Sequence, residues 1–322
     1  EISECLVGSE MCIRDRLGIK YPIIQGAMAQ IATADLAAAV SNAGGLGIIA
    51  SGGFSPDRIR EEIRRCKELT DKPFGVNVML MHPNKEEIAR IVVEEKVKVV
   101  TTGAGSPAPY MNMWKEAGII VIPVIPNVKI AKKMEAIGAD ALVAEGTEAG
   151  GHVGESTTLA LVPQIVDAVN IPVVAAGGIA DGRGIAAAFA LGAQGVQVGT
   201  RFIATNECQV HENFKNAVLN CGDADTVVTG RSLGAPVRGI KNPMTIKFLE
   251  LEKRGASREE FEELGTGALG KAAINGDIEN GSVMTGQISG IINKITSVEE
   301  AIESMISEAN EIFNSLGKIN LR

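Results

Sequence analysis

One histidine of the chain stands in a setting suited to proton transfer. His152 lies in the run AEGTEAGGHVG, shortly after Glu145, with glycines on both sides of it. An imidazole can donate or accept a proton near neutral pH, and the flanking glycines offer its ring little side-chain packing. His152 is therefore the candidate catalytic residue, and a flexible surface loop is the alternative interpretation.

Two further steps in the sequence have the composition of phosphate-binding turns. Gly177-Gly178 ends the run PVVAAGG, and Gly199-Thr200 ends the run GVQVGT. Glycines let a backbone approach an anion closely, and the N–H groups at the start of a following helix are positively polarised. We expect phosphate binding here, and tight left-handed turns without a ligand are the alternative.

A polar side chain also interrupts an apolar run. Asn77 stands inside GVNVML, which otherwise has the composition of a buried strand. A buried amide must find hydrogen-bond partners. The polar edge of a heterocycle such as a flavin could supply them, and so could neighbouring backbone, so Asn77 by itself leaves both interpretations open.

Two glycine motifs resemble nucleotide-binding fingerprints but stand in the wrong context. The runs GLGIIA at 45–50 and GTGALG at 265–270 match the patterns GxGxxA and GxGxxG. A functional fingerprint follows a strand and opens a helix, whereas each of these runs follows a helical segment. We interpret both as coincidences in a chain with 37 glycines.

The elements that must position these residues repeat regularly from residue 21 onward. Short β-branched runs alternate with helical segments, and several runs are apolar on both faces, which is typical of a parallel sheet covered by helices. The predicted strands are 21–28, 46–51, 74–80, 97–104, 119–125, 141–146, 172–178 and 195–200. The predicted helices between them are 33–43, 56–69, 85–95, 108–117, 128–137, 158–169 and 184–191.

Eight such units predict an α/β protein, a (β/α)8 TIM barrel with a C-terminal extension that forms a cap, and a doubly wound sheet is the alternative. In a barrel the carboxyl ends of the strands carry the site, and phosphate is held after the seventh and eighth strands, where the two glycine steps lie. We expect residues 1–16 to be a non-native leader, 17–211 the barrel core, and 212–322 the last barrel helix with the cap.

Composition excludes several classes of function. The 322 residues have a net charge of −8 and only 3% aromatics, which argues against a general nucleic-acid surface. Five cysteines without a CxxC pair and three histidines at unsuitable spacing predict neither a disulfide framework nor a zinc site. No apolar run has the length of a membrane span. We expect a protein of the cytoplasm, without a metal and without nucleic-acid or membrane partners.

Six segments occur in the same order as in a known group of barrel enzymes: QGAMA, GVNVML, TTGAG, AEGTEAGGHVG, PVVAAGGIADGRG and QVGTRF. Over about residues 17–316, the chain resembles the FMN-dependent nitronate monooxygenase (2-nitropropane dioxygenase) superfamily, which includes the FabK-type enoyl-acyl-carrier-protein reductases. The segments VRGIKN at 237–242 and GSVMTGQ at 281–287 are more similar to the FabK type.

The resemblance implies a role for each candidate site residue. His152 would be the catalytic histidine, Asn77 would lie at the polar edge of the flavin, and the phosphate would be held after the seventh and eighth strands. The FMN-binding residues that it implies are Gly26, Ala27, Met28, Asn77, Glu145, Gly150, Gly151, Gly177, Gly178, Gln197, Gly199 and Thr200.

The implied reaction is the final reduction step of bacterial fatty acid elongation. NAD(P)H would reduce FMN, and hydride would pass to the β-carbon of a trans-2-enoyl thioester carried on acyl carrier protein. His152 would stabilise the developing enolate or supply the proton, directly or through water. The family often responds to monovalent cations, for which the sequence identifies no site, and its precedent makes a homodimer the expected assembly.

Two other functions stay open at this stage. A nitronate monooxygenase would oxidise alkyl nitronates in the same site with FMN and O2, and a barrel without flavin would bind a phosphorylated metabolite. Acyl carrier proteins are acidic, so docking on this acidic chain requires a local positive patch. The candidates for that patch are Arg231, Arg238, Lys241 and Lys247, and scattered solvated charge is the alternative interpretation.

Overall fold

A computed structural model describes residues 12–318, and residues 1–11 and 319–322 lie outside the described part. Eight parallel strands form one sheet, and each falls within a predicted run. Their bounds are β1 Ile23–Gln25, β2 Gly47–Ala50, β3 Phe74–Met79, β4 Val99–Gly103, β5 Ile120–Ile125, β6 Leu142–Glu145, β8 Val173–Ala176 and β9 Gly195–Val198. Their order in the sheet is β1-β9-β8-β6-β5-β4-β3-β2.

The sheet closes on itself beside β1. Gln25 donates its backbone N–H to the carbonyl of Leu46, and Leu46 donates to the carbonyl of Ile23, both at 2.9 Å. The chain that leads into β2 therefore lies along one side of β1, and β9 pairs with its other side. The predicted (β/α)8 barrel is confirmed, and the doubly wound alternative, whose sheet would stay open, is excluded.

Seven helices connect consecutive barrel strands and cover the outside of the ring. Their bounds are α2 Ala34–Asn42, α3 Pro56–Leu69, α4 Lys85–Glu94, α5 Met111–Glu116, α6 Val128–Ala136, α7 Thr158–Val166 and α8 Gly182–Ala190. The sequence specifies the start of α3 locally, because the Ser55 hydroxyl accepts the N–H of Arg58 and Pro56 takes the first helical position. Within residues 12–318 no helix has the length and apolar character needed to cross a membrane.

The eighth place in the helical ring is taken by the last helix of the chain, α14 Val298–Leu316. It packs against α8 and α2, and the rings of Phe189 and Phe313 meet edge to face at 6.0 Å. Gly182 permits this close approach, because a Cβ on it would lie 2.3 Å from the backbone nitrogen of Ala309. Among the described residues 212–318, the barrel helix is thus the last element and follows the cap.

The amino-terminal end of the barrel is closed by a short helix, α1 Ile13–Leu17. Ile13 is 1% exposed and packs into the barrel interior, and the Arg16 guanidinium donates to the carbonyl of Asp140 at 2.7 Å. The predicted leader, 1–16, lies outside the described residues over 1–11, whereas residues 12–16 belong to this end of the barrel. Its non-native origin stays a prediction.

The chain between β9 and α14 forms the cap. Its strands β10 Thr226–Thr229 and β11 Val237–Ile240 make an antiparallel hairpin. Strand β11 also pairs with β7 Gly151–His152, which lies in the connection between β6 and α7. The cap is therefore tied to the barrel by strand pairing. Its helices are α9 Thr200–Ile203, α10 Glu212–Leu219, α11 Pro243–Arg254, α12 Arg258–Gly265, α13 Ala268–Ala273 and a 3-10 helix Gln287–Ile291.

The two motifs that resemble nucleotide-binding fingerprints serve packing and helix ends. Gly47 begins β2 under α2, where a Cβ would lie 1.8 Å from the carbonyl oxygen of Ala37. Gly265 ends α12 in the cap, and no heavy atom lies within 4 Å of the place a Cβ would take. Neither motif follows a strand, so the structural context of a dinucleotide-binding turn is missing at both.

The substitution Gly47→Ala is expected to lower the free energy of unfolding by more than about 3 kcal/mol or to prevent folding, because the backbones of α2 and β2 must separate around the new methyl group. Gly265→Ala is the matched control and is expected to change that free energy by less than about 1 kcal/mol, since alanine favours the helix. Urea unfolding followed by circular dichroism measures both. Equal stabilities of the two variants would contradict the packing at Gly47.

Candidate functional site

A cavity of about 500 Å³ lies at the carboxyl ends of the barrel strands, between the ring and the cap. The strand order creates it, because the ends of parallel strands in a barrel share one rim. Its wall brings together all the catalytic and FMN-binding candidates of the sequence analysis: Gly26, Ala27, Met28, Asn77, Glu145, Gly150, Gly151, His152, Gly177, Gly178, Gln197, Gly199 and Thr200. Their roles in binding and catalysis stay predictions.

Polar side chains at the strand ends form the floor of the cavity. The register pairs Glu145 with Ala176 and Ala176 with Gln197 across β6, β8 and β9, so these residues lie at one level of the barrel. On β3, the Asn77 amide donates to the Thr101 hydroxyl at 3.0 Å. Within the described residues the Asn77 amide oxygen has no hydrogen-bond partner, which leaves it as an acceptor for a ligand.

Glu145 is the acidic group of this floor. Among residues 12–318, no lysine or arginine lines the cavity, and the Glu145 carboxyl makes no hydrogen bond or ion pair. Burial raises the pKa of Glu145 to about 7, because desolvation disfavours the carboxylate. At neutral pH this carboxyl group is therefore present in both protonation states.

The two glycine steps lie side by side at the ends of β8 and β9. Gly177 and Gly178 have φ values of +93° and +72°, a left-handed conformation that glycine adopts without strain. In the described part of the chain, the backbone N–H groups of Gly178 and Gly199 donate no hydrogen bond. A Cβ at Gly199 would contact only the Met28 side chain, 3.7 Å away. Free donors and open space here fit the predicted phosphate.

Thr200 joins the phosphate wall, which is formed by the two glycine steps, to the cap segment around Gly286. Its hydroxyl oxygen accepts the N–H of Gly286 at 3.0 Å, and a hydroxyl can still donate its own proton to a ligand oxygen. Beside this bond, the N–H of Gln287 donates to the carbonyl of Glu148 at 2.9 Å. The residues Met284, Thr285 and Gly286 thereby form the cap side of the cavity wall.

His152 lies at the mouth of the cavity on strand β7. Val237 of β11 is its register partner, and the N–H of Val153 donates to the carbonyl of Pro236 at 3.1 Å. The imidazole is accessible from the cavity, while the surrounding protein lowers the pKa of His152 below 6.5 by desolvating the charged form. The candidate histidine therefore belongs to a strand, and its ring is mostly neutral at pH 7.

Glu148 is a residue of this site that the sequence analysis missed. Its carboxylate accepts the N–H of Thr158 at 2.9 Å and so satisfies the start of α7. The Thr158 hydroxyl lies 3.0 Å from the same carboxylate and 2.9 Å from the carbonyl oxygen of Gly177. Glu148 thus joins the segment that carries His152 to the phosphate wall. No local pattern could reveal this contact, because strand β7 separates its two partners.

The other two histidines of the chain and the docking candidate Arg238 lie away from the cavity wall. The imidazoles of His82 and His211 accept backbone N–H groups from Asn84 and Asn213, so both act in local turns. Arg238, which the sequence suggested for docking an acidic partner, is only 7% exposed. That prediction is wrong, because the guanidinium is engaged inside the protein.

The cavity combines three chemical capacities. One wall offers backbone N–H groups and a hydroxyl to an anion, and the floor offers an amide and a carboxyl to the polar edge of a ring. The mouth holds a neutral imidazole next to the space that remains. This combination fits a planar phosphorylated ligand with a second reactant placed between that ligand and His152.

Comparison with known proteins finds similarity over nearly the whole chain. The family model described as nitronate monooxygenase matches residues 11–91 and 84–308. FabK from Thermotoga maritima is similar in structure, with a TM-score of 0.94 and 47% identity, covering 97% of this chain and 100% of that one. A probable nitronate monooxygenase of Staphylococcus saprophyticus is 37% identical, over 92% of this chain and 97% of its own. A (3aS,4S,5R,7aS)-5-hydroxy-7a-methyl-1-oxo-octahydro-1H-indene-4-carboxyl-CoA dehydrogenase of Mycobacterium tuberculosis is 34% identical, over 92% of this chain and 95% of its own.

The raised pKa of Glu145 predicts a pH-dependent stability. An unfolded glutamate ionises near pH 4.5 and the folded one near 7, so the wild type loses stability as the pH rises between these values. The loss relative to Glu145→Gln amounts to at most about 3 kcal/mol and stays constant above pH 8. Urea unfolding of both ligand-free proteins from pH 4 to 9 measures it. Parallel pH profiles of the two proteins would contradict the burial of this carboxyl.

Proposed function

This chain belongs to the nitronate monooxygenase family, and we propose that it is a flavin-dependent trans-2-enoyl-acyl-carrier-protein reductase of the FabK type. It catalyses the final reduction step of bacterial fatty acid elongation, with NAD(P)H as the source of electrons. The alternative within the family is the oxidation of alkyl nitronates with O2.

The arrangement of the cap supports the reductase within this family. Of the segments 237–242 and 281–287, which resemble the FabK type, the first contacts the strand of His152 and the second lines the cavity. One contains β11, which pairs with the strand of His152, and the other contributes Met284, Thr285 and Gly286 to the wall. These cap segments lie beside His152, which acts on the second reactant, so their similarity to the FabK type supports the choice of substrate. Similarity in the barrel strands supports the choice of cofactor.

The residues present in the cavity fit FMN. The glycine steps and Thr200 would hold the phosphate with backbone N–H groups and a hydroxyl, and no basic side chain of the described wall would be needed for it. Gly26, Ala27 and Met28 would lie along the ring, and the amide of Asn77 would bond to its polar edge. When bound, FMN supplies the two-electron chemistry that links the nicotinamide cofactor to the enoyl thioester.

His152 acts on the second reactant. Reduction at the β-carbon of an enoyl thioester places negative charge on the thioester oxygen, and that charge requires a hydrogen-bond donor in a site with little water. A neutral imidazole still has one N–H to donate, and its low pKa keeps it neutral at the pH of the cell. His152 is thus the donor to the enolate oxygen, and the proton that reaches the α-carbon comes from a water molecule, because a neutral imidazole would become an imidazolate if it gave up its one N–H proton.

The substrate arrives on acyl carrier protein, and its docking requires exposed positive charge. Arg231, Lys241 and Lys247 are exposed on the cap, although Arg231 also pairs with Glu155. These three side chains replace the earlier set as the docking candidates. We also propose a homodimer in the cytoplasm, on the strength of the resemblance to the FabK type.

Nitronate oxidation is the second candidate, because the family model and the staphylococcal relative have that description. It requires the same flavin site, but a group that assists removal of a proton from the nitro compound and access of O2 to the reduced ring. The floor and mouth of the cavity could serve either reaction. The two functions therefore differ in what reoxidises the reduced enzyme.

An anaerobic stopped-flow experiment separates them. FMN-loaded protein is reduced with NADH or with NADPH, and the reduced enzyme is then mixed with crotonyl thioester or with an alkyl nitronate. Rapid return of the oxidised flavin spectrum with the enoyl thioester is the expected result. His152→Ala is expected to slow this step by about 100-fold or more, while reduction by NAD(P)H is retained, and His82→Ala is the matched control.

Two outcomes would reject the reductase. Absent reoxidation by the enoyl thioester together with fast aerobic turnover of nitronate assigns the monooxygenase and leaves the FMN site intact. A protein that stays colourless after reconstitution with FMN assigns a barrel that binds another phosphorylated ligand. Comparison of NADH with NADPH in the first step also measures the nicotinamide preference.

The phosphate wall predicts the effect of one added methyl group. Gly199→Ala places a Cβ in the open space beside Met28 and is expected to raise the dissociation constant of FMN by about tenfold or more, since a bound phosphate needs close approach of the backbone. Gly103→Ala is the matched control, because Gly103 also lines the cavity and a Cβ there meets no atom within 4 Å. Fluorescence titration with FMN measures the dissociation constants of both variants. Equal dissociation constants would contradict phosphate binding at this wall.

A further inference from the structure

The cap strand β11 contains a buried arginine to which the reaction described above assigns no role. Arg238 is 7% exposed, and within residues 12–318 its guanidinium forms no ion pair with a carboxylate. Burial lowers the pKa of Arg238, because desolvation disfavours the charged form, and the nearby Glu148 carboxylate partly offsets this. Burying a guanidinium has a high desolvation cost. The groups that accept its hydrogen bonds therefore indicate what the arginine holds in place.

The guanidinium joins two segments that are far apart in sequence. Its Nε donates to the carbonyl of Thr147 at 3.0 Å, and its Nη1 donates to the hydroxyl of Thr226 at 2.9 Å. Thr226 belongs to β10, the strand of the cap sheet that lies farthest from the barrel. Thr147 is the second residue of the loop that leads from Glu145 to His152. The side chain of Arg238 therefore reaches from the cap to the start of this loop.

The backbone of the same residue holds the other end of the loop. Arg238 is the register partner of Gly151, and Val237 is the register partner of His152. Gly151 has a φ of +76°, and the glycines before His152 give the loop a large conformational freedom when it is not held. Arg238 thus contacts the loop at its start with the side chain and near its end with the main chain.

We propose that Arg238 is a positioning residue for His152, which sets the place of the imidazole at the cavity mouth by holding Thr147 and Gly151 at a fixed separation. The proposal rests on the proposed function, in which His152 acts on the substrate. Arg238 is not among the residues that line the cavity, so its effect passes through the loop.

The chemistry of the side chain explains why arginine occupies this position. A guanidinium presents several N–H donors in one rigid plane, so it can hold a carbonyl and a hydroxyl at the same time. A lysine ammonium is a single charged group on a flexible chain and would hold one of the two acceptors. Arg238→Lys should therefore keep the charge and recover only part of the positioning.

Arg238→Met is the decisive variant, because it keeps an extended side chain and removes every donor. Displacement of a catalytic group by about 1 Å costs on the order of 100-fold in rate. We expect the reaction of the reduced enzyme with crotonyl thioester to slow by about 10- to 100-fold. The affinity for FMN and the rate of reduction by NAD(P)H are expected to change by less than about threefold, because the two glycine steps and Asn77 lie outside this loop and Glu148 keeps its own bond to Thr158.

Thr226→Val is the matched control for stability. It removes the hydroxyl that receives Nη1 and leaves the bond from Nε to the Thr147 carbonyl. If Arg238 served only to hold the cap hairpin together, this variant and Arg238→Met would have similar effects. The positioning role instead requires a nearly normal rate for Thr226→Val and an intermediate rate for Arg238→Lys.

A titration by nuclear magnetic resonance reports on His152 without any turnover. The chain has three histidines, and His82→Ala and His152→Ala assign their ring signals. In Arg238→Met, we expect the pKa of His152 to rise toward 6.5, because the released loop carries the imidazole away from the protein atoms that desolvate its charged form. The titratable neighbours on the cavity wall, Glu145 and Glu148, are the same in both proteins. A role confined to stability would leave the pKa of His152 in the folded variant unchanged.

The outcomes are distinct. A folded Arg238→Met with an unchanged pKa of His152 and an unchanged rate overturns the proposal, and so does equal slowing of both half-reactions with a lower melting temperature. If Arg238→Met does not fold, the same two measurements, the rate with crotonyl thioester and the pKa of His152, are made on Arg238→Lys and Thr226→Val. Unchanged values in Arg238→Lys then overturn the proposal, and so do equal effects in the two variants. If the wild type does not reduce enoyl thioesters, the proposed function fails, and the titration still determines whether Arg238 sets the environment of His152.

Discussion

Closure of eight parallel strands into a ring fixes where the side chains of the cavity lie. Successive residues of a strand point alternately into and out of the barrel, and the register across β6, β8 and β9 aligns Glu145, Ala176 and Gln197 at one level. The bonds between Leu46 and the strand β1 complete the ring. In the closed ring, residues that are far apart in sequence lie at one rim. Short loops after the strands are then long enough to contact one another above this rim.

The second constraint is the pairing between the cap and the loop after β6. A loop rich in glycine has a high conformational entropy, so it could not hold an imidazole in one place by itself. The cap hairpin supplies a strand for it, and the segment around Gly286 closes the opposite side of the cavity through Thr200. The chain then returns to the barrel as α14, which fills the last place in the helical ring. The cap is therefore a part of the site that the barrel could not replace.

The electrostatics of the cavity follow from its lining. No basic side chain of the described residues faces it, so an anion must be held by backbone N–H groups, and an acid on the floor finds no counter-ion. Glu145 accordingly keeps its proton to about pH 7, and His152 loses its proton below pH 6.5. Both groups are thus close to neutral at the same pH. The enolate formed in enoyl reduction and an alkyl nitronate both carry negative charge on an oxygen atom, so a site of this kind suits either reaction of the family.

The sequence by itself determined the barrel, because alternating apolar runs are local signals and the order of eight units leaves few topologies. The candidates from Gly26 to Thr200 all meet at one cavity for that reason. Local patterns selected His152, Asn77 and the two glycine steps, and the family resemblance supplied the other residues of the rim. Only the tertiary structure decided how the C-terminal third takes part. The buried position of Arg238, the contact of Glu148 with Thr158 and the placement of α14 beside α8 depend on pairings between distant segments. Local composition cannot encode such pairings, because the residues that flank an arginine in the sequence do not determine whether it is exposed or buried. Contacts with distant segments determine that.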